Sequence, residues 1–95
     1  MSIESLHRNR MGMSYKIVQE YGERDTKIIC ETLNKSIVVR EVSEGDIRRG
    51  WYHWMHGGKL AQEAFPFLNH AEREFLISGI TPAELKEIIK DKDTK

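Results

Sequence analysis

Apolar positions alternate with period two in the first half of the chain and recur every three to four residues in the second half. In residues 14–21, SYKIVQEY, Tyr15, Ile17 and Tyr21 share one alternating face, interrupted by Gln19. β-branched and aromatic residues in alternation predict a strand. Gly22-Glu23-Arg24-Asp25 supplies turn chemistry. Residues 26–33, TKIICETL, predict a second strand, with either Ile28 and Cys30 or Ile29 and Leu33 facing inward. Asn34-Lys35-Ser36 is the next turn, and residues 37–42, IVVREV, form the clearest strand. Two short connections in succession make an antiparallel meander the simplest topology.

From Ser43 the period changes. Ser43 is an N-cap, and Glu44 and Asp46 fall in the first turn, where the helix dipole favours negative charge. Ile47, Trp51, Trp54 and Met55 then line one face of a helix over 44–56. Gly50 weakens that helix by about 1 kcal/mol relative to alanine, so its place there points to another backbone coming close. Gly57-Gly58 stops the helix. Residues 59–65 predict one or two turns with Leu60, Ala61, Ala64 and Phe65 inward, ended by Pro66. Asn69 and Glu72 form a capping box for a helix over 70–78, which buries Ala71, Phe75 and Leu76 and ends at Gly79. Thr81-Pro82-Ala83-Glu84 opens a last helix over 82–90 that buries Leu85, Ile88 and Ile89.

The expected fold is α+β: a three-stranded antiparallel β-meander over 14–42, followed by three or four short α-helices over 43–90, all in one domain. Residues 1–12 read as a flexible lead-in and 91–95 as a frayed tail. Within that lead-in, Ile3 and Leu6 could still dock on the rest of the chain. The stretch WYHWMHGGKLAQEAFPFL, residues 51–68, is the pivot from sheet to helix. Its Trp51, Trp54, Phe65 and Phe67 are expected to hold the helices to the sheet.

Composition narrows the function. With 39% hydrophobic and 32% charged residues, the chain reads as a soluble globular domain. Fifteen acids balance fifteen bases, so no long-range field draws it to nucleic acid or to an anionic membrane. A net charge of zero favours self-association, which makes a homodimer a natural state. Cys30 is the single cysteine, which excludes an intrachain disulfide and implies no oxidised extracellular life. No apolar run approaches the ~20 residues that span a bilayer. The N-terminal MSIESLHRNR carries no apolar leader segment, so a cytoplasmic location is expected.

Chemistry is sparse. His53 and His56, three apart on a helix, could point the same way, and His70 and Cys30 are further soft ligands. A zinc site needs three or four converging donors, and the second ligand pair of a finger is missing. Cys30 lies among isoleucines, which suits a small buried hydrophobe better than a reactive thiolate. Gly57-Gly58-Lys59 lacks the spacing and the Ser/Thr of a phosphate loop. Glu72/Glu74 and Glu84/Glu87 sit beside Arg73 and Lys86 as helix-surface ion pairs. The residues therefore predict a protein that is not an enzyme and takes no cofactor and no metal. The 44–56 helix has more aromatic bulk than one face can bury. Arg48, Arg49, Tyr52, His53 and His56 on its outer side are the candidate binding residues, because Trp, Tyr and Arg concentrate at binding hot spots. The sheet's open edge is a further candidate surface. The same cations beside rings, with Lys59 following, carry the alternative of a nucleic-acid-binding regulator, since bases stack on aromatics and arginine grips phosphate.

Residues 37–89 also resemble a module of small uncharacterised bacteriophage and prophage accessory proteins. The resemblance rests on IVVREV, Trp54 before Gly57-Gly58, LAQEAFPFL, REFLISGI at 73–80, and TPAELKEII. Leu60-Ala61-Gln62 departs from the module's compact spacing, and Leu85 stands where an aromatic is common. The resemblance implies a phage-type accessory protein in the host cytoplasm. Such a protein acts by stoichiometric binding, either to a host or phage protein, inhibiting a host enzyme or a defence (CRISPR-like) nuclease complex, or to nucleic acid. It implies no catalytic residue.

Overall fold

The sheet has four strands, not three, in the computed structural model, which describes the backbone of residues 1–93 and the side chains of residues 1–89. The strands are β1 (Ser2–Arg8), β2 (Ser14–Glu20), β3 (Thr26–Cys30) and β4 (Lys35–Val39), all antiparallel, in the order β1-β2-β3-β4. The extra strand comes from the expected lead-in. Its helix-facing positions are Ile3, Ser5 and His7, opposite Gln19, Ile17 and Tyr15. That set has no apolar stripe, so period-two reading misses it, and the strand forms on the ladder that β2 offers.

Asn9 fastens this addition to the rest of the molecule. Its Oδ1 accepts from the backbone N–H groups of Met11 and Met13 at 3.0 and 2.9 Å. Its Nδ2 donates to the carbonyls of Leu76 and Ile77, both at 3.0 Å, at the end of a helix far along the chain. One buried amide thus closes the β1–β2 turn and caps that helix. Asn9→Ala leaves buried donors and acceptors unpaired and should cost about 2–3 kcal/mol. A urea midpoint that does not move would show that water replaces these bonds freely.

One face of the sheet is the floor of the core. Tyr15, Ile17, Ile28, Cys30 and Val39 are fully buried on it, so β3 turns Ile28 and Cys30 inward. Tyr21 and Leu33 are 61% and 42% exposed, because each lies in a turn beyond its strand's end. The second turn occupies 31–34 rather than 34–36, with Asn34 in the left-handed region (φ 54°), and β4 therefore starts at Lys35.

The helices are α1 (Glu44–His56), α2 (Ala61–Ala64), α3 (His70–Ser78) and α4 (Pro82–Asp93). Ser43 Oγ accepts from the Asp46 N–H at 3.1 Å and caps α1. Asn69 and Glu72 cap α3 reciprocally at 2.8 and 2.9 Å, and Gly79 ends it at φ 78°. Gly50 does admit a neighbour: a Cβ there would lie 2.6 Å from the Phe65 ring and 2.7 Å from the Ala64 carbonyl oxygen. Above the floor, the Tyr15 hydroxyl donates to the Phe75 carbonyl at 2.6 Å. Phe65, Phe75, Leu76, Ile47, Trp51 and Trp54 complete the core.

Four residues expected inside lie outward. Leu60 precedes α2 and is 58% exposed, while its N–H is held by the Glu63 carboxylate at 3.0 Å. Phe67 meets Phe65 edge-on at 6.2 Å but stays partly exposed, so it contributes less to the core than Trp51, Trp54 and Phe65. Ile88 and Ile89 are exposed because α4 packs at the periphery, against α3, with Leu85 half-buried. α4 is tethered by Lys35 Nζ, 2.9 Å from both Glu84 carboxylate oxygens. The Thr81 backbone N–H and Lys35 hold that carboxyl down to about 2. The helix takes in part of the tail expected to fray, while Thr94 and Lys95 lie outside the described residues.

Candidate binding groove between β1 and α1

α1 runs beside β1, and what it does not bury frames a groove of about 550 Å³. Helical geometry sets its wall. Arg48, Tyr52 and His56 recur at intervals of four and form one stripe, with Met55 beside it. Trp51 turns inward from that stripe and forms the floor. Its indole N–H donates to the Arg8 carbonyl at 2.8 Å. Its ring stacks on His7 at 5.1 Å and 28° and meets Trp54 and Phe65 edge-on. A single tryptophan thus joins the strand, the helix and the core, and sets the position of the groove. Arg10 binds the same helix from the other end: its guanidinium donates to the Trp54 carbonyl at 2.8 Å and lies 5.9 Å over the Trp54 ring.

Beneath the rim sits a buried carboxylate. Glu44 is 2% exposed. It accepts from Arg48 Nε at 3.2 Å, and its backbone N–H donates to Gln19 Oε1 at 2.9 Å. Arg48 is therefore held in place from below while its side chain stays largely in solvent. His7 shares a hydrogen bond with Ser5 Oγ at 2.8 Å. Burial holds the His7 pKa below the usual 6.5. Arg48 pushes the same way, and the Glu44 charge opposes both.

The sign of the pH effect follows. A histidine whose folded pKa is depressed binds fewer protons folded than unfolded in the interval below 6.5. Stability should therefore rise with pH through that interval and level off above it. His7→Gln should remove this part of the pH dependence. An unchanged urea-midpoint profile in that variant would show that His7 titrates equally in both states.

Of the residues expected at a binding surface, Arg48, Tyr52 and His56 line the groove. Tyr52 is 63% exposed, with its ring 5.1 Å from His56. Arg49 and His53 fall on the neighbouring stripe, outside the groove. Arg49 pairs with Asp46 at 2.6 Å, and His53 stands edge-on to Tyr52 at 5.8 Å. Sequence reading does not find His7 and Arg8, because finding them requires recognising β1, which has no alternating apolar signal. His70 lies apart, at the start of α3, and Cys30 is fully buried in the sheet. Among the described residues no group of three or more His, Cys, Asp or Glu could hold a metal ion. Among them, too, no helix is long and apolar enough to cross a membrane.

A second cleft lies between the turns at 22–25 and 40–41. It is lined by Arg24, Asp25, Arg40 and Glu41 and has no aromatic wall. Its charges are of both signs and largely matched, so it offers less to a partner than the aromatic groove does. No protein-family model matches the chain, and no curated protein or solved structure matches it either.

Proposed function

We propose that this is a small non-enzymatic accessory protein that acts by binding another protein stoichiometrically, with the β1–α1 groove as its contact surface. The observation that carries the reading is Tyr52. It is a large aromatic left mostly in solvent beside Arg8 and Arg48, in a groove whose floor is a firmly held Trp51. Exposed Tyr with Trp and Arg, on a rigid element, is the composition of a binding hot spot. Preorganisation by the Glu44–Arg48 pair and the Trp51–Arg8 bond lowers the ordering cost of association. The phage-type resemblance of residues 37–89 supports a host enzyme or a defence nuclease complex as the class of target, met in the host cytoplasm.

Affinity capture of the intact protein from a bacterial lysate tests the proposal. One protein should co-purify in stoichiometric amount, and Tyr52→Ala should weaken its retention by about thirtyfold, the equivalent of about 2 kcal/mol. Capture that returns no stoichiometric protein, or retention indifferent to Tyr52, rejects it. Arg8, Arg10 and Arg48 beside aromatic rings favour a second reading, a nucleic-acid-binding regulator. A mobility shift at low salt that weakens steeply as salt rises would support it, and no shift at low salt would eliminate it.

A further inference from the structure

β1 is a terminal strand, and the register shows which of its backbone groups are free. The Tyr21 N–H donates to the Met1 carbonyl, and the Asn9 N–H to the Met13 carbonyl, at the two ends of the β1–β2 ladder. Hydrogen-bonded pairs alternate along an antiparallel ladder. Ile3, Ser5 and His7 therefore direct their backbone groups to β2, and Ser2, Glu4, Leu6 and Arg8 direct theirs to the open edge. Among the described residues, the one partner on that edge is the Trp51 indole N–H, on the Arg8 carbonyl. The edge is seven residues long and carries no proline. It lacks two usual protections against pairing, a short length and a proline.

The side chains of Glu4, Leu6 and Arg8 lie on the sheet face away from the helices, opposite in facing to the buried Tyr15 and Ile17. Leu6 is 71% exposed. Leu6, Val18, Ile29 and Val38 sit diagonally on successive strands, so an apolar strip crosses that face and ends at the edge.

We propose that β1 pairs antiparallel with β1 of a second copy, about a twofold axis at Leu6. That register places Leu6 against Leu6 and Glu4 against Arg8 of the second copy, twice by symmetry; its ladder runs through Leu6 and the Arg8 N–H, because the Arg8 carbonyl already accepts from Trp51. An axis at Glu4 would oppose two carboxylates, and an axis at Ser5 would set Glu4 against Leu6. Glu4 already pairs with Lys16 of β2 at 3.1 Å, so Arg8 of the second copy would add a second cation to that carboxylate; this cross-strand charge pairing selects the Leu6 axis, and the apolar strip then runs on from one sheet into the other. A ladder this short buries less than a stable dimer needs, so association is weak and depends on concentration.

Light scattering on the intact chain, from about 10 μM to about 1 mM, should show the mass rising from 11.1 kDa toward twice that value. Leu6→Pro removes an N–H that faces the open edge, so the fold persists and the rise disappears. In the unmodified protein, the Leu6 amide should gain protection from hydrogen exchange as concentration rises, while the Ser5 amide is protected throughout. Glu4→Arg and Arg8→Glu should each weaken pairing about tenfold or more, and the double variant should restore it. Tyr52→Ala should leave the mass curve unchanged, because Tyr52 stands on the α1 wall of the groove and only Arg8 is shared by the groove and the edge. A mass of 11.1 kDa at every concentration overturns the proposal and leaves the edge to another chain. So does a dimer whose Leu6 amide stays unprotected or whose charge variants fail to rescue one another.

Discussion

Phe65→Ala is expected to remove about 3–5 kcal/mol, the range for deleting a buried phenylalanine. That is a fifth or more of the roughly 5–14 kcal/mol a domain of this size commonly has. Phe65 is fully buried, and its ring stands edge-on to Trp51, Trp54 and Phe67 at 6.1, 5.7 and 6.2 Å. It also fills the space over Gly50. It sits on the connection after α2, with its carbonyl accepting from the Leu68 N–H and from Arg73 Nη1. Its neighbours are held by the helix and the strand below, so they collapse only partly into the vacated volume. Urea unfolding followed by tryptophan fluorescence measures the effect. A loss under about 1 kcal/mol would mean that Trp51 and Trp54 pack without it, and that Phe65 is not the pin between α1 and α2.

Gly50→Ala should destabilise by about 1–3 kcal/mol, although the same change in an isolated helix stabilises it by about 1 kcal/mol. The two effects oppose each other, and geometry decides between them. The new methyl carbon would stand 2.7 Å from a backbone oxygen, Ala64 O, as well as 2.6 Å from the Phe65 ring. A ring can tilt, but a backbone carbonyl tied into α2 moves only if α2 moves. The relevant comparison is circular dichroism of a peptide spanning 44–56, which should gain helix, against denaturation of the whole chain, which should lose stability. A whole chain made more stable by the change would show that α2 rides freely on α1.

The readable features were those written in local chemistry. Ser43, Asn69 with Glu72, and Thr81 with Glu84 each state a helix start in a few adjacent residues, and all three cap as their spacing requires. Gly50 was legible because glycine inside a helix costs stability unless something else needs the space. The inner stripe of Tyr15, Ile17, Ile28 and Cys30 was legible, apart from β3's choice of face. Side-chain burial at the ends of elements was not. Tyr21, Leu33, Leu60, Ile88 and Ile89 all look like core residues by type, yet each lies where the chain has already turned away or where no further layer covers it.

The groove divides in the same way. Arg48, Tyr52 and His56 follow from helical spacing and an excess of aromatics, so half of the wall could be named in advance. Arg49 and His53 could not be separated from them, because a difference of one residue rotates a side chain by about 100° and the core's exact position decides which stripe faces β1. The opposite wall, His7 and Arg8, belongs to a strand that takes its order from β2 and Asn9 rather than from its own pattern.

By itself, then, the sequence determined the α+β class, the antiparallel meander, the capped helix starts, the glycine stops of α1 and α3, and the outer stripe of α1, because hydrophobic period and capping act over a few neighbouring residues. Tertiary structure alone decided that residues 2–8 form a fourth strand, that Trp51 joins that strand to α1, and that a groove lies between them. β1 forms a short-range hairpin with β2 that its own apolar pattern does not announce. The Trp51 junction and the groove rest on hydrogen bonds between residues 43 to 68 positions apart, such as Trp51 to Arg8 and Asn9 to Leu76 and Ile77. No local pattern encodes such pairings, and they acquire their energy only once the core has brought both ends together.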